Sequence, residues 1–214
     1  MPVPAPIEVL HEMRSAIRTI GTPSPLLKSS KAFPVLVSTI ISLRTRDVVT
    51  ERVSHQVLSS APDVGSMISI EQEKLEELLK PAGFYRQKAG QLKRIALILQ
   101  KDFEGKVPEN MDLLLSLPGV GRKTANFVMG MVFGVPSICV DVHVHRISNR
   151  LGLVRTSTPE ETEFSLQEIF PEEEWTGINH IMVRFGQSIC RPVRPLCDDC
   201  PFKNECPSAV RKTG

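Results

Sequence analysis

The 214-residue chain contains no run of roughly 18 uncharged apolar residues, which excludes a helix long and apolar enough to span a membrane. Its opening, MPVPAPIEVL, lacks the positive n-region and extended apolar core of a signal peptide, so an intracellular setting is expected. That setting is cytoplasm or nucleoid in a prokaryote, and nucleus or mitochondrion in a eukaryote. Alternating β-branched runs are few, which argues against a sheet-based fold. Neither an internal repeat nor a low-complexity tract is present, so a solenoid array is excluded as well. With 41% apolar and 23% charged residues, what is left is the profile of a globular protein.

Net charge is also small, at +2, but its distribution is uneven. Residues 84–101 carry five basic side chains and no acid, whereas residues 160–174 carry seven glutamates and no lysine or arginine. One basic and one acidic side suit a polyanion partner better than the net charge suggests. The competing reading is of ordinary solvated faces.

Apolar periodicity is helical throughout, and an all-α fold is expected. AFPVLVSTIISL (32–43) is apolar nearly all round, as a central buried helix would be. A helix over VVTERVSHQVL follows, with Thr45 or Asp47 as its cap. SIEQEKLEELLKPAGF stops at Pro81 and Gly83. Leu92, Ile95, Ala96 and Leu99 then recur at helical spacing, which places the basic residues of that segment mostly off the buried stripe. MDLLLSL (111–117) is a short helix ended by Pro118, RKTANFVMGMVFG is another, Asp141 caps VHVHRISNRLGL, and STPEETEFSLQEIF opens on a Ser/Thr cap with early acids. The Pro-rich start, residues 2–6, is expected to fray.

LPGVGRKTAN joins two of these helices by a glycine turn. Gly119 and Gly121 can both adopt positive φ, and backbone N–H groups of such a turn and of the next helix form an anion site. The G-x-G-x-K-T spacing is too tight for a Walker A loop, which needs G-x-x-x-x-G-K-[ST]; a single phosphodiester fits better. Helix capping alone is the plainer alternative. Lys123 lies on the first turn after the loop, where the helix dipole and neighbouring Arg122 both disfavour an ammonium. A neutral amine there is a nucleophile suited to Schiff-base chemistry at a sugar C1′. Taken singly, Lys123 reads as a surface charge and Asp141 as a helix cap.

Four of the five cysteines fall at Cys190-x₆-Cys197-x₂-Cys200-x₅-Cys206. Without a signal peptide this spacing reads as metal or cluster ligation before disulfides, and four thiolates suit either tetrahedral zinc or a [4Fe–4S] cluster. The loop between the first two, RPVRPL, is stiffened by Pro192 and Pro195 and offers Arg191 and Arg194 to phosphates. Cys139 reads as a buried structural thiol.

LPGVGRKTAN, VDVHVHRISNRLG and C-x₆-C-x₂-C-x₅-C together resemble endonuclease III of the helix-hairpin-helix DNA glycosylase superfamily, from about residue 30 to Cys206. The resemblance implies a bifunctional DNA N-glycosylase and apurinic/apyrimidinic lyase of base excision repair, removing oxidised pyrimidines. Lys123 matches the family's nucleophile and Asp141 its catalytic carboxylate, and the four cysteines match the ligands of a [4Fe–4S] cluster. The implied architecture is a helical barrel over 25–135 and a cluster-bearing helical domain made of 1–24 and 136–214, with the active site in the cleft between them. The implied partner is double-stranded DNA containing a damaged base, bound by a monomer.

Expected DNA contacts are the hairpin residues Leu117, Pro118, Gly119, Val120, Gly121 and Arg122, together with His143, Arg191 and Arg194. Two positions depart from the family pattern. Arg44, in ISLRTRD, stands where many relatives carry a glutamine that fills the gap left by the flipped base. Phe84, in GFYRQKA, stands where a leucine wedge is common, and it suits either a stacking wedge or the core. Two other readings stay open: a monofunctional mismatch glycosylase of the same fold, and a non-catalytic helix-hairpin-helix DNA-binding protein. Lys123 argues against the first, because the mismatch branches lack a lysine there.

Overall fold

The uncharged stretch Ala32–Ser42 forms helix α2, and all but three of its residues are buried, so other helices must enclose it on every side. Residues 5–19 and 31–209 are described by the computed structural model. Among them the secondary structure is helical, without a strand. The chain divides into two compact units, Pro25–Val135 and Met1–Ser24 with Pro136–Gly214.

In the first unit α2 packs against α3 (Asp47–Ser60), α6 (Tyr85–Asp102) and α8 (Arg122–Val132). Helices α4 (Val64–Ser69) and α5 (Gln72–Leu79) cover α6, and α7 (Met111–Ser116) pairs with α8. The core joins Leu36, Ile40, Val53, Val57, Met67, Leu75, Leu92, Ile95, Leu99 and Val128. Burying each such side chain stabilises the fold by roughly 1.5–3 kcal/mol.

Two expectations need correcting here, and a third holds with one exception. Helix α3 is capped by Arg46, which makes no side-chain cap hydrogen bond, and Asp47 is its first helical residue; a carboxylate there still favours the positive end of the dipole. Ser69 ends α4 instead of opening the next helix. A reciprocal box makes α4 possible: Asp63 accepts from the Ser66 amide at 2.8 Å while the Asp63 amide donates to Ser66 Oγ at 3.1 Å. Lastly, Arg86, Arg94 and Lys101 of α6 are exposed as expected, but Lys88 is buried. It lies at i−4 from Leu92 and so on the apolar stripe itself.

In the second unit α1 (Pro6–Thr19) and α9 (Val142–Arg150) both pack on α11 (Trp175–Ser188), and α10 (Pro159–Ile169) packs on α9. Pro6 opens α1 as its first helical residue, and the Ala5 carbonyl just before it accepts from the Val9 amide at 3.1 Å; residues 2–4 of the segment expected to fray lie outside the described residues. Leu10, Met13, Val144, Ile147, Leu166, Ile178, Met182 and Phe185 form this core. Thr158 and Glu161 make a capping box at α10, the Ser/Thr cap that its sequence announces. No described helix is long and apolar enough to cross a membrane.

Candidate active-site and nucleic-acid-binding residues

The α7–α8 hairpin is anchored by its apolar residues. Leu117 and Val120 are buried, and the Val120 amide donates to the Leu117 carbonyl at 3.1 Å. Gly119 sits at φ +71°, a left-handed conformation that favours glycine. A Cβ there would also come within 2.5 Å of Gln91 Nε2, which donates to the Pro118 carbonyl at 2.9 Å. Gly121 does not use that freedom: it is extended, at φ −97° and ψ 175°, and caps α8 without a side chain. Nothing lies within 4 Å of where its Cβ would be. Its value is therefore open space at the helix start, where a phosphate can approach the backbone. Arg122 and Lys123 follow as the first two residues of α8, both half-buried.

Asp141 is the N-cap of α9, and its Oδ1 accepts from the amides of His143 at 2.8 Å and Val144 at 2.9 Å. Capping thus holds the carboxylate in place through one oxygen. His143 and Arg146, one turn on, face α11: Arg146 Nη2 lies 3.1 Å from His143 Nδ1 and donates to the Cys190 carbonyl at 2.9 Å. A Cβ on Gly186 would come within 2.5 Å of His143 Nδ1, so α11 needs a glycine at that point. Cys139 is buried, as expected, and its carbonyl accepts from Asn179 at 2.8 Å.

Arg44 and Phe84 meet, although nothing in the sequence links them. Both adopt left-handed backbone, at φ 53° and 59°, and the Arg44 guanidinium lies 5.2 Å from the centroid of the Phe84 ring, a cation–π contact. Phe84 is 56% exposed, which removes the core alternative. Beneath this pair lies Lys88, which sequence reasoning missed. Its ammonium donates to the carbonyls of Ile41 and Leu43 and to Thr45 Oγ1, each at 2.7 Å.

The four spaced cysteines ring one apolar pocket lined by Phe185, Ile189, Pro195 and Leu196. Among the described residues, no three His, Cys, Asp or Glu side chains are drawn together as a single ion would require. Burial pushes the Cys200 thiol up to about 11 and raises Cys206, and the neighbouring cysteines add to both shifts. Four thiols lining one pocket are a donor set suited to metal or cluster ligation, which would deprotonate them. Arg150 fixes the rim, donating to the carbonyls of Arg191 at 2.7 Å and Pro192 at 3.0 Å and lying 3.6 Å from Cys190 Sγ. Arg191 folds back on the Ser188 carbonyl through Nε at 3.1 Å. Arg194 is exposed and in left-handed backbone.

Comparison with known proteins gives the family of the fold. Residues 37–172 match the profile of the HhH-GPD superfamily base excision DNA repair protein. Endonuclease III of Thermotoga maritima is 48% identical over 84% of this chain and 84% of its own length. A structure described as a trapped endonuclease III–DNA covalent intermediate superposes with a TM-score of 0.86 at 32% identity, covering 95% of this chain and 96% of that one. A thermostable thymine-DNA glycosylase, at 22% identity and TM-score 0.83 over 95% of both chains, shares the fold. The chain belongs to the HhH-GPD superfamily of base excision DNA repair proteins, and within it to the endonuclease III family.

Proposed function

We propose that this protein is a bifunctional DNA N-glycosylase and apurinic/apyrimidinic lyase acting on oxidised pyrimidines in duplex DNA, with Lys123 as its nucleophile. The observation that carries this reading is Lys123 on the first turn of α8, directly after the Gly119 turn and the open backbone at Gly121, in a chain of the endonuclease III family. The thymine-DNA glycosylase neighbour supports the fold alone, so the chemistry is argued from the lysine.

The hairpin backbone holds a phosphate of the damaged strand and brings the flipped nucleotide to the amine. Lys123 Nζ attacks C1′ as the C1′–N bond breaks, and the base leaves with the bonding electrons and takes up a proton. Ring opening gives a Schiff base between Nζ and C1′. Loss of a C2′ proton then expels the 3′ phosphate oxygen, and water releases the lysine. The Asp141 carboxylate accepts the proton given up by the amine and offsets positive charge developing on the sugar. Arg44 and Phe84 occupy the space left in the duplex, and exposed Arg194 contacts phosphate.

Cys190, Cys197, Cys200 and Cys206 would hold a [4Fe–4S] cluster, which supplies a structural cross-link. The shared pocket that all four cysteines line supports that ligand set. A panel of lesions in defined duplexes, scored separately for base release and strand cleavage, tests the function. Both products are expected from thymine glycol in parallel; base release that leaves an intact abasic strand would move the protein to the monofunctional class.

A further inference from the structure

A buried lysine with no part in the chemistry lies directly under the two residues read above as gap-filling and wedge. Lys88 is 4% exposed, and it spends all three ammonium protons on one turn: the Ile41 carbonyl at the end of α2, the Leu43 carbonyl and the Thr45 hydroxyl. Arg44 is the residue between the last two acceptors, and its φ of 53° is a conformation that costs a non-glycine residue roughly 1–3 kcal/mol. A second contact fixes the same turn from the other side. A Cβ on Gly83 would lie 2.6 Å from the Arg44 carbonyl oxygen, so the Gly83 backbone packs against Arg44 at a distance that only glycine allows. Phe84, next in the chain, is left-handed too and carries the Arg44 guanidinium over its ring. Two strained residues on separate loops are thus locked together at the surface. A clamp that serves only the core has no need to hold exposed side chains in costly backbone.

We propose that Lys88 is a positioning residue for duplex recognition: it pins the Leu43–Thr45 turn against Gly83, so that Arg44 and Phe84 form a stacked pair before DNA binds. Preassembly removes the ordering cost of two side chains at the moment the base is extruded. This inference rests on the reading that Arg44 and Phe84 enter the duplex.

The test compares single-turnover cleavage at an abasic site in duplex and in single-stranded DNA, where no gap is left to fill. Lys88→Met is expected to lower the duplex to single-strand rate ratio about tenfold, since small misplacements of positioning groups cost this much or more. A folded variant whose two rates fall together, or whose ratio equals wild type, would overturn the proposal. Thr45→Val removes one acceptor and spares the lysine, so it serves if Lys88→Met does not fold; it should lower the same ratio, and an unchanged ratio counts against the clamp. The double variant Arg44→Ala/Phe84→Ala separates the two levels. If it leaves the ratio intact, the pair does not enter the duplex, whatever Lys88 does. If it lowers the ratio while the Lys88 and Thr45 variants do not, the pair acts without the clamp.

Discussion

At Asp141 one side chain caps a helix and is also proposed to act in the chemistry, and the two tasks can be separated. Oδ1 caps α9 through the amides of His143 and Val144, a service that an asparagine oxygen performs equally well. The proposed proton acceptance needs the charge. Asp141→Asn should therefore keep stability within about 0.5 kcal/mol of wild type while lowering base release about a hundredfold. Asp141→Ala should lose activity and about 1 kcal/mol of stability as well. Urea denaturation beside single-turnover kinetics distinguishes the two; an Asp141→Asn protein with full activity would leave the residue as a cap alone. The capping task was legible in the sequence, since an aspartate just ahead of VHVHRISNR is an N-cap signal; the proposed second task comes from the family resemblance alone. The conformation of Gly121 was not legible. A glycine in a turn suggests positive φ, but here it matters for the side chain it lacks.

At the scale of elements, α6 works as a strut between the ends of earlier helices. Lys88 holds the last carbonyls of α2, and Lys93 donates to the carbonyls of Ile68 and Ile70 at the end of α4. Each cation meets the negative end of a helix dipole. Burial lowers Lys88 from 10.5 to about 8, and the sign of its effect on stability follows. Between those values the unfolded lysine keeps a proton that the folded one has released, so the unfolded state binds more protons and stability rises with pH. Wild type should therefore gain stability relative to Lys88→Met as pH rises from 8 to 10.5. Urea melts at both ends of that window check it, and a flat or falling difference contradicts it. The helical register of Lys88 was readable from its spacing to Leu92, but a lysine on an apolar stripe invites the assumption that it points away. Its acceptors lie 43 to 47 residues earlier in the chain, and no local pattern reveals them. Helix α4 was invisible for another reason: six residues are too short for a period to show, and its capping box is Asp63–Ser66, not the Ser/Thr–Glu pair that signals α10.

For the whole molecule, the all-helical architecture was legible because apolar spacing alone separates helix from strand. Lys123 and Asp141 stand out as candidate catalytic residues only through the three motifs taken together. The two units have separate cores, and three of the spaced cysteines pack against the second. Loss of the proposed cluster should therefore be felt unevenly. Cys200→Ala is expected to abolish the brown iron–sulfur absorption and to weaken hydrogen-exchange protection within 136–209 more than within 31–135. Uniform loss across both units, or a colourless wild type purified anaerobically, would contradict the cluster assignment.

The central claim is that Lys123 forms a covalent bond to the sugar. Borohydride reduction during turnover of a thymine glycol duplex tests it directly. A reduced protein–DNA adduct mapped by mass spectrometry to Lys123, and absent from Lys123→Ala, is the predicted result. Base release by wild type without any adduct, or an adduct that persists in Lys123→Ala, would contradict it.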